Sequence, residues 1–143
     1  MINILEYKTY WEEMPQRDDR LKHVIFGTDE SDLKRQLPDI SPEQQPFAFV
    51  LIPSAVSSGS LPDNFSETNR ALFYVLAKED SFSLTTFDIQ VNTQPVAEAV
   101  KEILITDKSP CSMLRNLNEA SFHTDPESAI SSKCSGWSVS FEF

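Results

Sequence analysis

Apolar positions in this chain follow three distinct patterns, and each predicts a different element. At the C-terminal end Trp137, Val139, Phe141 and Phe143 occupy every second position, with Ser138, Ser140 and Glu142 between them. That alternation predicts a strand with one buried face and one polar face. Gly136 marks the passage from loop to strand. A Phe closing such a pattern leads us to expect a chain end held in the sheet. The one-sided character places this strand towards a sheet edge or beside a solvated surface.

Two unbroken apolar runs form the second pattern. Residues 47–52 (Phe-Ala-Phe-Val-Leu-Ile) are fenced by Pro46 and Pro53, and residues 71–77 (Ala-Leu-Phe-Tyr-Val-Leu-Ala) give way to Lys78-Glu79-Asp80. Their lengths suit strands buried on both faces, at the centre of the sheet. The third pattern is helical. Ile4, Leu5, Tyr7, Tyr10, Trp11 and Met14 recur at spacings of three and four, and Pro15 is expected to end that helix. Val96, Val100, Ile103 and Leu104 predict a second helix over residues 93–106. Residues 83–92 fit either element. Phe87, Ile89 and Val91 alternate as in a strand, yet Leu84, Phe87 and Val91 continue the helical stripe; Pro95 is the objection to one long helix, and the favoured reading extends the helix back to Ser83.

The remaining segments are shorter. Residues 21–27 predict a strand, with Val24 and Phe26 on one face and His23 and Ile25 on the other. Thr28-Asp29-Glu30-Ser31 offers N-caps for a brief helix through Leu37. Ser41-Pro42-Glu43-Gln44 has the form of a capping box limited to one turn by Pro46. Residues 119–124 predict a short strand that ends in a turn at Asp125-Pro126-Glu127, followed by a serine-rich loop. Residues 53–68, rich in Ser and Pro with Gly59 near the middle, read as a long loop. Loops of that length in compact domains are commonly functional or disordered. Its apolar residues Val56, Leu61 and Phe65 either tuck back onto the domain or wait for a partner. One helix layer covers only one face of a sheet, so the other face must be buried by the first helix, the long loop or another subunit. This gives a physical motive for oligomerisation.

These elements fit a single domain over residues 1–143. The expected class is α+β: a mixed, mainly antiparallel sheet of about four to five strands against two main helices. The net charge of −10 repels phosphate backbones, which argues against sequence-specific nucleic-acid binding. The nearest basic group, Arg17, Arg20, Lys22 and His23, is interleaved with Asp18 and Asp19. No apolar run approaches membrane-spanning length. Met1 to Leu5 lead straight into charged residues without a secretory core, and two cysteines are no disulfide scaffold. The expectation is a cytosolic protein with reduced thiols.

Candidate chemistry is sparse. His23 and His123 lie a hundred positions apart, and Cys111 and Cys134 lack metal spacing, so no metal or cofactor is expected. There is no nucleophile elbow and no phosphate-binding loop; Ser58-Gly59-Ser60 sits in a loop, and the chain holds three glycines. Cys134 with His123, or a loop serine, would be the nucleophile of a small hydrolase, the least favoured reading. An enzyme is not expected.

The order of elements carries a resemblance. An aromatic amphipathic helix comes first, then the proline-bounded strand from Gln45-Pro46-Phe47 to Ile52, then Leu72-Phe73-Tyr74-Val75-Leu76. The helix beginning Thr93-Gln94-Pro95-Val96 and the closing strand Gly136-Trp137-Ser138-Val139-Ser140-Phe141 complete it. This resembles phage and prophage proteins of the tail-terminator or tail-completion kind, small α+β domains ending in an aromatic strand. The resemblance implies a non-catalytic homo-oligomeric ring joined to other phage tail proteins, in the host-cell cytoplasm or in a virion, and the acidic charge is compatible with a ring lumen that lets DNA slide. It implies subunit contacts through inter-strand loops and the sheet edge, which maps Val56, Leu61, Phe65 and Trp137 as interface residues. The alternative is a monomeric interaction module that uses residues 53–68.

Overall fold

The computed structural model describes residues 2–59, 62–79, 84–131 and 133–143, with the backbone alone at Pro62. The chain runs α1 (Ile4–Glu12), α2 (Met14–Arg17), β1 (His23–Gly27), α3 (Glu30–Gln36), β2 (Phe47–Leu51), β3 (Ser54–Ser58), β4 (Ser66–Lys78), α4 (Thr86–Thr106), β5 (Asn118–Ile130) and β6 (Cys134–Glu142). Single 3-10 turns follow α3, precede β2 and precede β4. The strands form one mixed sheet of order β1-β2-β4-β6-β5, with β3 paired to β4 beside it. Among the described residues, only the β1–β2 pair is parallel. The α+β class and mixed sheet agree with the sequence pattern, although the sheet has six strands.

Both faces of the sheet are covered from within the chain. On the first face, Ala48, Val50, Phe73, Val75, Val139 and Phe141 pack against Trp11 and Met14 of α1 and α2 and against α4. The rings of Trp11 and Phe73 meet at 4.8 Å between centroids. On the second face, Phe47, Phe49 and Leu76 are covered by Leu33 of α3 and by Leu37 and Ile40 just after it. The helix expected only as a brief insertion is therefore the second layer, and α1 shares the first face with α4. Alternation along β2 sends Phe47 and Phe49 one way and Ala48 and Val50 the other, which is why its sequence is apolar throughout.

The sheet corrects several expectations. The closing strand is interior, with β4 on one side and β5 on the other. Alternation reports which face of a strand is covered, whereas edge or interior position depends on backbone pairing, which side-chain polarity does not record. The edge belongs to β5, which continues through Pro126 instead of turning there. An edge strand tolerates a residue that cannot donate to the ladder. Residues 53–68 are mostly a β-hairpin rather than a loop; all five β3 side chains are exposed, so no apolar alternation marks the strand.

The first helix also differs from expectation, whereas the second follows the favoured reading. Pro15 does not end the helical path, because it sits in the first turn of α2, where its missing N–H costs nothing. The ambiguous stretch joins its successor in one helix, α4, within which Pro95 lies. Residue 83 lies outside the described residues. An interior proline costs about 3 kcal/mol. Burial of Ile89, Thr93, Val96, Ala97, Val100 and Leu104 against the sheet offsets that cost. A capping box between Thr85 and Asp88 starts the helix.

Candidate functional site

Pro53 breaks the path that would otherwise continue β2 along β4. β2 pairs with Phe73 to Leu76, and β3 resumes on the same side of β4 opposite Ser66 to Arg70. On the other side, β6 pairs with β4 from Arg70 onward, and Phe143 exchanges two backbone hydrogen bonds with Asn69 at 2.8 and 3.0 Å. Ser66 to Thr68 thus stand past the sheet with β3 as their pairing partner, and the hairpin leaves the body as a two-stranded ribbon. Its tip is tight. Gly59 has φ +130°, and a Cβ there would lie 1.9 Å from the Asn64 carbonyl oxygen. Ser58 and Ser66 hydroxyls hydrogen bond across it at 2.7 Å.

Of the four residues mapped to an interface, Val56 and Phe65 lie on this ribbon, 44% and 63% exposed. Leu61 lies outside the described residues. Trp137 sits elsewhere, half-buried on the helix-covered face, and its indole N–H donates to the Gln90 carbonyl at 2.8 Å. The ribbon from residue 54 to 68 carries two carboxylates, Asp63 and Glu67, and no cation.

A second apolar surface lies on the first turns of α4. Leu84 precedes the helix, and Phe87 and Val91 follow at spacings of three and four, 72% and 52% exposed. Leu84 also lines a groove of about 470 Å³ whose walls include Pro42, Pro46, Ala77, Ile89 and Thr93. The signal for this stripe was present in the sequence: residues 84–91 are apolar on more sides than one packed helix face needs.

The third feature is a pocket of about 370 Å³ lined by Lys34, Leu37, Pro38, Lys78, Ser131 and Lys133. It combines the end of α3, the end of β4 and the β5–β6 turn, where Ala129 and Ser131 take φ of 53° and 50°. Lys78 donates to the Ile40 carbonyl at 2.6 Å. Glu30, which borders the same region, accepts from the Ser131 backbone at 2.8 Å. Three lysines separated by up to a hundred positions converge here, and no sequence motif announces them.

The candidate nucleophile pair does not assemble. Cys134 is buried and its thiol is pushed up to about 12 by desolvation. His123 lies on β5 opposite Ser140, six positions along β6 from Cys134, roughly 20 Å at strand rise. Its ring faces Asp125 at 3.0 Å. Ser58, the described member of the loop-serine pair, is bonded to Ser66, and Ser60 lies outside the described residues. His23 and His123 occupy opposite flanks of the sheet. No cluster of three or more potential metal ligands occurs among the described residues. The half-buried carboxylate contact near α4 is structural: Glu79 accepts from Ser135 at 2.6 Å and Thr86 at 2.9 Å, which ties the helix start to β6. No helix among the described residues is long and apolar enough to cross a membrane. The chain matches no protein-family model, no curated protein and no solved structure.

Proposed function

We propose that this chain is a structural assembly protein that works by self-association rather than catalysis, in the manner of a phage tail-terminator or tail-completion protein, with other tail proteins as further partners. The observation that carries this reading is the β3–β4 ribbon. It projects past the sheet, presents Val56 and Phe65 to solvent, and leaves the outer edge of β3 without a strand partner among the described residues. A two-stranded ribbon gains little stability from itself. One that displays apolar side chains and an open edge has the chemistry of an arm that docks on a neighbour.

The arm's contribution follows from its exposure. Full burial of a Phe side chain is worth about 1.5–3 kcal/mol, so burying the exposed part of Phe65 supplies about 1–2 kcal/mol. That corresponds to roughly tenfold in association. Sedimentation of the wild-type chain over a wide concentration range is expected to show a discrete oligomer. Val56→Ser with Phe65→Ser should weaken it while leaving the urea midpoint in place. A wild-type chain that remains a monomer at high concentration refutes the reading.

A further inference from the structure

Resting on that self-associating reading, we infer that the lysine pocket of Lys34, Lys78 and Lys133 is the receptor for the hairpin tip of the next copy, so that copies join head to tail. Charge is the first argument. Each copy carries a net charge of −10, so approach is repulsive unless a positive patch on one meets a negative one on the other. Among the described residues, Lys8, Arg17, Arg20, Arg35, Arg70, Lys101 and Lys108 are held in ion pairs within the chain. Lys34, Lys78 and Lys133 instead line this one pocket. The ribbon offers the complement, with Asp63 exposed at its tip and no cation from residue 54 to 68.

Shape is the second argument. Leu37 and Pro38 give the pocket an apolar lining between the lysines, and its volume of about 370 Å³ accommodates an aromatic side chain. Phe65 lies two residues from Asp63, so one tip presents an acid and a ring together.

Position is the third. The ribbon leaves from the start of β4 at Ser66, and the pocket lies at its end, Lys78. At strand rise these are about 40 Å apart. One copy cannot fill its own pocket by this route, and the two surfaces are different, so the contact is heterologous. Such contacts close into rings when the rotation permits and otherwise extend as filaments.

Charge reversal followed by mixing tests the pairing. Lys78 is left intact because it holds the Ile40 carbonyl. Lys34→Glu with Lys133→Glu, and separately Asp63→Lys with Asn64→Lys, should each weaken association by about tenfold or more. All four positions are exposed, so far-UV circular dichroism and the urea midpoint should stay at wild-type values. Mixed in equal amounts, the two variants should recover the wild-type mass, because every basic tip then finds an acidic pocket and every acidic tip a basic one. If Phe65→Ser dissociates the oligomer but the lysine reversal changes nothing and mixing restores nothing, the ribbon docks elsewhere; the pocket assignment falls and the assembly reading stands. If the lysine reversal keeps the wild-type mass and only abolishes retention on a phosphate-bearing resin, the pocket serves a small anion and the assignment is overturned. A monomeric wild type removes both.

Discussion

Gly136→Ala tests how the closing strand is held. Gly136 is buried within β6, opposite Leu76 of β4 and Glu127 of β5, with φ +154°. A Cβ added there would lie 2.0 Å from the Val75 carbonyl oxygen and 3.0 Å from its carbon. An ordinary contact requires the strands to separate by more than 1 Å. β4 cannot yield freely, because β2 pairs with it on the other side over Phe73 to Leu76. A side chain at this φ costs about 1–3 kcal/mol of backbone strain. Forced repacking adds about 1–3 kcal/mol. The expected loss is therefore about 4 kcal/mol, a large share of the roughly 5–15 kcal/mol that holds a domain together. For a chain of this size, that lowers Tm by about 8–16 °C. Urea denaturation followed by fluorescence of Trp11 and Trp137 measures it. Ser140→Ala, on the same strand, serves as the control and should stay within about 0.5 kcal/mol of wild type. A Gly136→Ala loss below about 1 kcal/mol would show that β6 shifts without cost and would refute the close approach to β4.

Three further outcomes follow from the geometry. Asp107, at the end of α4, is held below the usual carboxylate range chiefly by its hydrogen bond from Arg17, and it also accepts from the Tyr10 hydroxyl at 2.6 Å. Its folded-state pKa lies below the unfolded one, so its stabilisation is whole above about pH 4 and is lost as pH falls through the folded value. Asp107→Ala should cost about 1–2 kcal/mol at neutral pH after allowance for its partial exposure, and should flatten this part of the acid limb in urea titrations. Cys111 is exposed and Cys134 buried, so a neutral-pH thiol reagent should modify one thiol in the native chain and the second only on unfolding, read by intact mass. Phe87→Ser removes an exposed ring and should change the urea midpoint by no more than about 0.5 kcal/mol equivalent, whereas a larger loss would mean the stripe is packed within the monomer.

Local chemistry made several elements legible without a fold. The apolar runs at residues 47–52 and 71–77 suited two-sided strands better than helices, because they are short and bounded by proline or charge. Thr28 to Ser31 marked the α3 start, where Asp29 accepts from the first backbone donors, and Ser41 to Gln44 marked the 3-10 turn before β2, where the Gln44 side chain accepts from the Ser41 N–H. The alternation of residues 137–143 identified a strand and its buried side. It could not identify the neighbours, since pairing runs through backbone groups that every residue carries. Pro126 looked like a turn because the sequence does not reveal that its strand is an edge. Pro95 stood as an objection to the favoured long helix because the burial that offsets it comes from β4, β5 and β6.

The candidate surfaces divide along the same line. Val56 and Phe65 stood out in sequence as apolar residues among Ser, Pro and Asn, and their exposure is a matter of the hairpin. The ribbon itself was hidden because its strand buries no side chain. Lys34, Lys78 and Lys133 meet only when α3 crosses the sheet and β6 returns beside β4. Sequence alone determined which residues form the core and which local elements they favour, because hydrophobic periodicity and capping act over a few residues. Tertiary structure alone decided edge against interior, ribbon against loop and the site of the positive pocket, because each depends on contacts between positions far apart in the chain.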